Sequence, residues 1–247
     1  MDRVAAIVPA RYASSRFPGK VLAKICGKYM IQHVYEKAQA SKADVVMIAA
    51  DDEKVEQAVQ SFGGKVVMTA LSHQSGTDRI YEAMTKSGEK IDIVINVQGD
   101  EPLIPVSVID ELIDVMVKNP SLPMATVAVK GNRTDLADPN KVKVVFGANN
   151  MALYFSRSMI PYLREGGVDA DVYLHWGIYA YRASTLEKFV NLPPSKLEQC
   201  EKLEQLRALE NGIGIYVHLS DLESVGVDTP DDLEKAEEKM LEQLKNG

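Results

Sequence analysis

Short apolar runs recur through the first half of the chain without alternating polar positions. The strands that they predict cover residues 4–8, 45–50, 65–68 and 91–97. Unbroken runs of this kind are typical of strands buried on both faces of a parallel sheet. Because proline has no N–H to donate to a neighbouring strand, we expect the first strand to end at Pro9.

Stretches with helical spacing follow these strands. Apolar side chains recur every three or four positions over residues 30–41, and a second helix is predicted between Asp51-Asp52, which can cap it, and Gly63-Gly64, which ends it. Alternation of strand and helix to about residue 117 implies right-handed β-α-β units. The expected fold class is α/β with a mainly parallel sheet, whose ligands bind at the carboxyl ends of the strands.

Past Pro123 the pattern changes. Strands are predicted at 124–129, 141–146 and 151–155 without a long helix between them, and Asn149-Asn150 can form a tight turn. We therefore expect antiparallel strands in this half, and a mixed sheet in the whole fold. The remaining predicted elements are helices at 186–190 and 197–210, a strand at 213–219 and a helix at 231–244.

Composition narrows the class of protein. The 247 residues are 46% hydrophobic and 26% charged, which is ordinary for a globular enzyme, and the net charge of -7 argues against general affinity for nucleic acid or anionic membranes. Cys26 and Cys200 are too few and too far apart to indicate a disulfide framework or a zinc site. Without a signal peptide or a long apolar run, we expect a cytoplasmic protein that is not integral to a membrane.

The segment after the first strand has the composition of a phosphate-binding loop. Small residues at 13–15 and 19 let the backbone approach a ligand, and Arg11, Arg16 and Lys20 add positive charge. Neither the Walker pattern nor the dinucleotide-binding glycine pattern is present. The segment is therefore either a site for a triphosphate or a surface loop with solvated cations.

Two further strand exits carry polar residues. Residues 75–79, Ser-Gly-Thr-Asp-Arg, either cap the next helix or bind a base or phosphate. Asp100 follows the strongest predicted strand, where it is either a turn residue or a Mg²⁺ ligand beside the triphosphate.

Fewer residues in the second half of the chain have a clear functional assignment. Arg157, Arg164, His175 and Arg182 lie on an aromatic-rich stretch that could form a pocket for an anionic substrate or an interface. His175 taken alone is more often a structural histidine. Glu204 and Gln205 are predicted by default to lie on a solvated helix face, and Asp228 could be only a helix cap.

Six segments, taken together and in order, carry a resemblance to a known family. They are residues 8–20, 75–79, 96–102, 152–157, 203–207 and 226–229. Together they resemble the 3-deoxy-manno-octulosonate (Kdo) cytidylyltransferases. The resemblance implies a Rossmann-like nucleotidyltransferase domain over residues 1–247, in which about 124–190 form a smaller subdomain for sugar binding and dimerisation. It also implies transfer of CMP from CTP to Kdo for lipopolysaccharide synthesis, by a homodimer.

The resemblance implies a role for individual residues as well. The expected catalytic residues are Lys20, Asp100 and Asp228, and both aspartates are expected to bind Mg²⁺. The expected nucleotide-binding residues are Ala10, Arg11, Ser14, Lys20, Arg79 and Gln98. The expected sugar-binding residues are Arg157, His175, Tyr179, Glu204 and Gln205.

The chain departs from the usual family pattern at three positions. Val21 and Tyr29 stand where the family commonly has proline, and Gly147 where it commonly has aspartate. Alternatives to the Kdo enzyme are a transferase for 8-amino-Kdo, a sialate-type synthetase and a nucleotide-binding module without turnover. Retention of Lys20, Asp100 and Asp228 together argues against the last of these.

Overall fold

A computed structural model describes residues 2–13, 17–165, 167–168, 170–222 and 226–246. The chain divides into unit 1, which is Met1–Ile113 with Ser224–Gly247, and unit 2, which is Asp114–Glu223. The subdomain expected at 124–190 lies within the bounds of unit 2. Over the described ranges, no helix is both long enough and apolar enough to cross a membrane.

The described elements alternate between strand and helix. The strands are β1 (Val4–Ala10), β2 (Lys24–Ile25), β3 (Lys28–Tyr29), β4 (Val45–Ala50), β5 (Val66–Met68), β6 (Ile93–Asn96), β7 (Met124–Gly131), β8 (Lys143–Phe146), β9 (Ala152–Ser156), β10 (Val172–Arg182) and β11 (Ile215–Ser220). The α-helices are α1 (Met30–Gln39), α2 (Glu53–Ser61), α3 (Gly76–Lys86), α4 (Val106–Lys118), α5 (Ala183–Val190), α6 (Lys196–Glu201), α7 (Gln205–Glu210) and α8 (Pro230–Asn246). Short 3-10 helices cover Lys20–Leu22 and Arg133–Ala137.

The sheet of unit 1 is parallel, as the apolar runs predict. β1 pairs with β6 on one side and β4 on the other, and β5 pairs with β4. All of β6 is buried, and only one residue of β4 is not. The predicted α/β class is thus confirmed.

The expectation that the first strand ends at Pro9 is wrong, because β1 continues to Ala10, opposite Ala50 of β4. Ile7 and Pro9 direct their backbone groups to the same side of β1, toward β6. Pairing with β6 has already ended at Ile7 and Asn96. The donor that Pro9 lacks therefore falls beyond the last residue of the neighbouring strand.

The helix boundaries of unit 1 follow the predicted caps. α1 begins at Met30, and α2 begins after Asp52, whose carboxylate accepts a hydrogen bond from the Lys54 N–H at 2.8 Å. Gly63 follows α2 with a φ of 74°. Because a side chain is strained at that angle, glycine is the residue that can end this helix there.

Unit 2 contains the antiparallel strands that the second half predicts. β7 and β8 each pair antiparallel with β10, β8 pairs antiparallel with β9, and β11 is parallel to β7. Between β8 and β9, Asn150 has a φ of 59° and donates its N–H to the Gly147 carbonyl oxygen at 2.9 Å. The predicted turn at Asn149-Asn150 is therefore confirmed.

The sequence pattern did not predict β10, although it is the longest strand in the described chain. Trp176 pairs with Val127, and Tyr179 pairs with the next residue of β7, Thr126. β10 therefore has two extra residues between these pairs, which shifts its register with β7. This bulge interrupts the alternation of buried and exposed positions by which a strand is recognised.

The single helix predicted over 197–210 is also wrong. α6 ends at Glu201 and α7 begins at Gln205, and Lys202 between them has the left-handed angles φ 54° and ψ 47°. An α-helix cannot continue through a residue in that conformation. No glycine marks the break, so the sequence contains no signal for it.

The close packing of β1 against the turn after β6 can be tested by a substitution at Gly99. A Cβ at Gly99 would lie 2.7 Å from the Pro9 carbonyl oxygen, which is too close for two atoms that the backbone fixes. We expect Gly99→Ala to lower the free energy of unfolding by about 1–3 kcal/mol, measured by urea denaturation.

The control is Gly177→Ala, where a Cβ would have no neighbour within 4 Å. Its unfolding free energy should stay within about 0.5 kcal/mol of the wild type. Equal unfolding midpoints for both variants and the wild type would contradict the close contact.

Candidate active site

A cavity of about 350 Å³ lies at the carboxyl end of the unit 1 sheet. Its lining residues are Pro9, Arg11, Ala13, Lys20, Val21, Gly76, Gln98, Gly99 and Asp100. Four of the residues predicted for nucleotide binding or catalysis therefore meet at one cavity: Arg11, Lys20, Gln98 and Asp100. Ala10 is buried at the end of β1, and Ser14 lies outside the described residues.

The described ends of the opening loop, residues 11–13 and 17–19, are held by hydrogen bonds from backbone N–H groups. The Gly19 N–H donates to the Tyr12 carbonyl oxygen at 3.0 Å, and the Tyr12 N–H donates to Asp51 Oδ1 at 3.0 Å. Gly19 has a φ of 69°, a conformation that favours glycine. These bonds bring the chain back at residue 19 and turn Lys20 toward the cavity.

Lys20 lies between two carboxylates that are distant in sequence. Its Nζ is 2.8 Å from Asp100 Oδ2 and 3.0 Å from Asp228 Oδ1, and the Val227 N–H donates to the Asp100 carbonyl oxygen at 2.9 Å. Burial lowers the pKa of Lys20, but the two aspartates outweigh it and the pKa is raised. The side chain is therefore a cation at neutral pH.

The carboxylate of Asp228 is directed to Lys20, while its neighbours cap α8. Thr229 Oγ1 accepts the Asp232 N–H at 3.3 Å, and Asp232 Oδ2 accepts the N–H groups of Thr229 at 3.0 Å and Asp228 at 3.2 Å. Thr229 and Asp232 thus form a reciprocal cap. The alternative that Asp228 serves only as a cap is wrong, because its side chain is directed to Lys20.

The two aspartates fit a hard divalent cation. Both present carboxylate oxygens to one positive centre, the ammonium of Lys20, and Mg²⁺ prefers such oxygens. Within the described ranges, no group of three or more His, Cys, Asp or Glu side chains could hold a metal ion. That donor set suits Mg²⁺ bound by one or two carboxylates together with phosphate oxygens and water, and not an all-protein cage.

Arg79 is completely buried, and it lies in α3, the helix whose first residue, Gly76, lines this cavity. Its Nη1 donates to Thr69 Oγ1 at 2.6 Å, its Nη2 donates to Asp51 Oδ2 at 2.9 Å, and its Nε has no hydrogen-bond partner in the described protein. Ser75 caps α3 by accepting the Asp78 N–H at 3.0 Å. The cap predicted for residues 75–79 is confirmed, and base recognition by Arg79 stays a prediction.

Asp51 is a site residue that the sequence analysis assigned only to a helix cap. Its neighbour Asp52 supplies that cap, which leaves the Asp51 carboxylate to join Tyr12 of the opening loop to Arg79. The sequence does contain a signal for Asp51: two aspartates follow one strand, and a helix needs only one of them as its cap.

A polar group in unit 2 lies at the bulge of β10. His175 Nε2 is 3.0 Å from Thr126 Oγ1, and the rings of His175 and Tyr179 are 5.4 Å apart. Burial lowers the pKa of His175 to about 3, so the imidazole is neutral at pH 7. Burial, followed by Tyr181 and Glu204, raises the pKa of Tyr179 well above its ordinary value. Both side chains are therefore neutral hydrogen-bonding groups.

Arg157 is fixed mainly through Glu201. The Arg157 Nε donates to the Glu201 carbonyl oxygen at 2.8 Å, and its Nη1 donates to the Pro139 carbonyl oxygen at 3.0 Å. The Glu201 carboxylate accepts the Arg157 N–H at 2.9 Å and the Ser156 hydroxyl at 2.6 Å. The sequence pattern gave no reason to select Glu201, which lies at the end of α6.

Lys143 supports Arg157 from the opposite side. Its side chain is fully buried, and its Nζ donates to the carbonyl oxygens of Arg157 at 2.6 Å and Asp138 at 2.9 Å. Burial lowers the pKa of Lys143. These contacts hold the backbone from which the Arg157 side chain extends.

Glu204 and Gln205 do not share the solvated face that their spacing predicts. Gln205 is 4% exposed, and its Nε2 is a buried donor without a partner among the described residues. Glu204 Oε1 lies 3.6 Å from Nη2 of Arg207, which also binds Glu198. The default prediction is therefore wrong for Gln205, whose buried amide has one donor without a partner among the described residues.

The chain is similar to known proteins over nearly its whole length. The model of the cytidylyltransferase family matches residues 5–219. A 3-deoxy-manno-octulosonate cytidylyltransferase of Thermodesulfovibrio yellowstonii is 51% identical over 94% of this chain and 95% of its own. An 8-amino-3,8-dideoxy-manno-octulosonate cytidylyltransferase of Shewanella baltica is 49% identical over 96% of this chain and 98% of its own.

A solved structure is similar over nearly the same length. It is a CMP:2-keto-3-deoxy-manno-octonic acid synthetase in complex with CTP, which is 46% identical to this chain and superposes with a TM-score of 0.94. The superposition covers 98% of this chain and 100% of that one. The α/β fold is therefore that of a nucleotidyltransferase.

Asp51→Ala should destabilise the protein far more than a neighbouring change of the same kind. The side chains of Arg79 and Asp51 are 0% and 5% exposed, so removal of the carboxylate leaves a buried charge without its partner. We expect a loss of about 3–5 kcal/mol in the free energy of unfolding, measured by urea denaturation.

Asp52→Ala is the matched control, because it removes only the cap of α2 and should cost about 1 kcal/mol. Similar losses for the two variants would mean that the Asp51–Arg79 pair is not the interaction that holds the opening loop.

Proposed function

The chain belongs to the 3-deoxy-manno-octulosonate cytidylyltransferase family, and we propose that it transfers CMP from CTP to the anomeric hydroxyl of Kdo. The hydroxyl oxygen gives up its proton to solvent and forms a bond to the α-phosphorus, the bond from that phosphorus to the oxygen of the β-phosphate breaks, and pyrophosphate leaves. The observation that carries the proposal is the cation Lys20 between Asp100 and Asp228, beside a cavity lined by Arg11 and Gln98.

In this proposal Arg11 and Lys20 bind the triphosphate, helped by the backbone donors of the loop, and backbone around Ala10 helps to bind the base. The raised pKa of Lys20 keeps its ammonium charged, so that it can balance the negative charge that develops on the departing pyrophosphate. Loss of one such donor commonly lowers a rate by about 10²–10³.

Gln98 and Arg79 are the proposed residues for base recognition. Cytosine presents a carbonyl oxygen and ring nitrogen as acceptors and an amino group as donor, and the Gln98 amide can serve as both donor and acceptor. The Arg79 guanidinium, held by Asp51 and Thr69, keeps its Nε for a further acceptor.

Asp100 and Asp228 are the proposed ligands of Mg²⁺. A bound Mg²⁺ would polarise a phosphate oxygen and lower the pKa of the attacking hydroxyl. Asp100 and Asp228 hold the two positions that would face the α-phosphate, and Lys20 adds a positive charge that does not depend on the metal. Because no strong free base is required with this arrangement, a Ser-His-Asp triad is not needed.

Arg157, His175, Tyr179, Glu204 and Gln205 are the proposed sugar-binding residues. Kdo carries one carboxylate and several hydroxyls, so its site requires a cation and a set of neutral or acidic hydrogen-bonding groups. Arg157 is that cation, while the neutral imidazole of His175 offers one donor and one acceptor. The unpaired Gln205 Nε2 supports the same assignment.

We also propose that the chain works as a cytoplasmic homodimer in lipopolysaccharide synthesis. Support for self-association comes from unit 2, where large apolar side chains are exposed within a short segment of the chain. They are Leu153 at 66%, Met159 at 50%, Tyr162 at 80% and Val168 at 93%. Exposed apolar side chains that form one contiguous patch mark a site of protein association.

Transfer to 8-amino-Kdo is the second candidate, because relatives of that name are as similar to the chain as several Kdo enzymes. Pyrophosphate release should be measured with the protein, CTP and Mg²⁺ in the presence of Kdo, 8-amino-Kdo or a sialic acid. We expect Kdo to be used faster than the sialic acid by a factor on the order of 10² or more. EDTA should stop the reaction, and excess Mg²⁺ should restore it.

A faster reaction with 8-amino-Kdo would move the chain to the second candidate. Absence of pyrophosphate release with every sugar, from a protein that still binds CTP, would favour a module without turnover.

Arg157→Ala should mainly weaken sugar binding. Loss of a charge-assisted bond to the Kdo carboxylate is expected to raise the KM for Kdo about 10- to 100-fold and to leave the affinity for CTP nearly unchanged. The measurements are steady-state kinetics with each substrate varied and direct titration with CTP.

Arg182→Ala is the control, because Arg182 also donates to main-chain carbonyl oxygens of unit 2, those of Met116 and Asn119. It should change stability but not the KM for Kdo. Equal loss of affinity for CTP and Kdo in Arg157→Ala would place Arg157 outside the sugar site.

A further inference from the structure

The ammonium of Lys20 occupies the space between the proposed metal ligands. Lys20 Nζ is within 3.0 Å of one oxygen of each carboxylate, and the Lys20 side chain is 11% exposed. The side chains of Asp100 and Asp228 are 36% and 48% exposed. The carboxylates are thus accessible to ions from solvent, while the cation between them is buried.

We propose that Lys20 and a divalent metal ion exclude each other from the Asp100–Asp228 pair, so that the metal binds there only when the triphosphate draws Lys20 away. The inference rests on the proposed function, in which these aspartates are the metal ligands. Lys20 is then both a phosphate ligand and the resident counter-ion of the metal site.

Charge is the reason for the exclusion. Lys20 already neutralises half of the two negative charges, and a divalent ion between the same oxygens would lie close to the ammonium. Like charges at such a separation repel strongly at a partly buried site. Binding of metal to the free protein must therefore break two charge-assisted hydrogen bonds or bear this repulsion.

The structure also offers Lys20 another partner. Lys20 lines the same cavity as Arg11, where a triphosphate would present several anionic oxygens. The lysine side chain has a flexible four-carbon stem, so its ammonium can move without a change in the backbone. Departure of Lys20 removes the competing ammonium from both carboxylates just as the nucleotide supplies further oxygen ligands, which makes nucleotide and metal binding mutually favourable.

The test measures Mn²⁺ binding to the full chain without nucleotide, by the loss of the free-ion EPR signal. Lys20→Met removes the competing charge and keeps a similar volume, so its Kd for Mn²⁺ should be lower than that of the wild type by about tenfold or more. Lys28→Met is the control, since it removes the same charge from the exposed Lys28–Glu36 pair, and it should leave the Kd unchanged. Equal affinity of Lys20→Met and wild type would overturn the exclusion.

Two further variants separate this inference from the proposed function. Asp100→Asn and Asp228→Asn should each weaken Mn²⁺ binding in the presence of CTP, and Asp100→Asn should cancel the gain in the Lys20→Met background. If neither change affects Mn²⁺ binding with CTP, the aspartates are not the ligands and the proposed metal site is wrong. If both weaken it while Lys20→Met gains nothing, only the exclusion is wrong.

A measurement on the wild type covers the case in which Lys20→Met does not fold. In crystals grown with Mn²⁺ and CTP, anomalous scattering locates the metal. We expect Lys20 Nζ beyond ~3.5 Å from both carboxylates, outside hydrogen-bond reach. Metal bound by Asp100 and Asp228 while Lys20 keeps both bonds would overturn the exclusion.

Discussion

The contact of one buried ammonium with two carboxylates holds the unit 1 site together. Lys20 joins the loop after β1 to the turn after β6 and to the segment before α8, and it does so through charge-assisted bonds of 2.8 and 3.0 Å. A cation that is mostly buried needs such partners, because desolvation otherwise favours its neutral form. The position of each aspartate therefore depends on Lys20, and the charge of Lys20 depends on both aspartates.

Much of unit 1 could be predicted because its signals are local. Unbroken apolar runs gave the parallel strands, and β4 was predicted with its observed bounds, Val45–Ala50. The predicted strand exits after β1, β5 and β6 supply residues that line the cavity. The prediction that β1 ends at Pro9 was wrong because a proline interrupts pairing only with the strand that its backbone nitrogen faces. That strand is β6, and the sequence does not show where β6 ends.

Unit 2 was harder because its site depends on departures from regular structure. The bulge in β10 places His175 and Tyr179 near each other, and the left-handed Lys202 separates two helices so that Gln205 is buried. Gly177 lies within the bulge, but a single glycine is a weak signal, and the break at Lys202 has no glycine or proline to mark it. The resemblance drew attention to these side chains where periodicity could not, but it gave no indication of Glu201 or Lys143, whose contacts are visible only in three dimensions.

Unit 1 combines the first 113 residues with those after 223, and this division affects how the protein is made. A chain that emerges from the ribosome presents Lys20 and Asp100 long before Asp228. Val227, which binds the Asp100 carbonyl oxygen, arrives equally late. Until Asp228 has been synthesised only one of the two carboxylate partners of Lys20 exists, so the charge balance of the site is completed only after residue 228 is translated. Nascent chains and fragments truncated before residue 224 therefore lack the complete site.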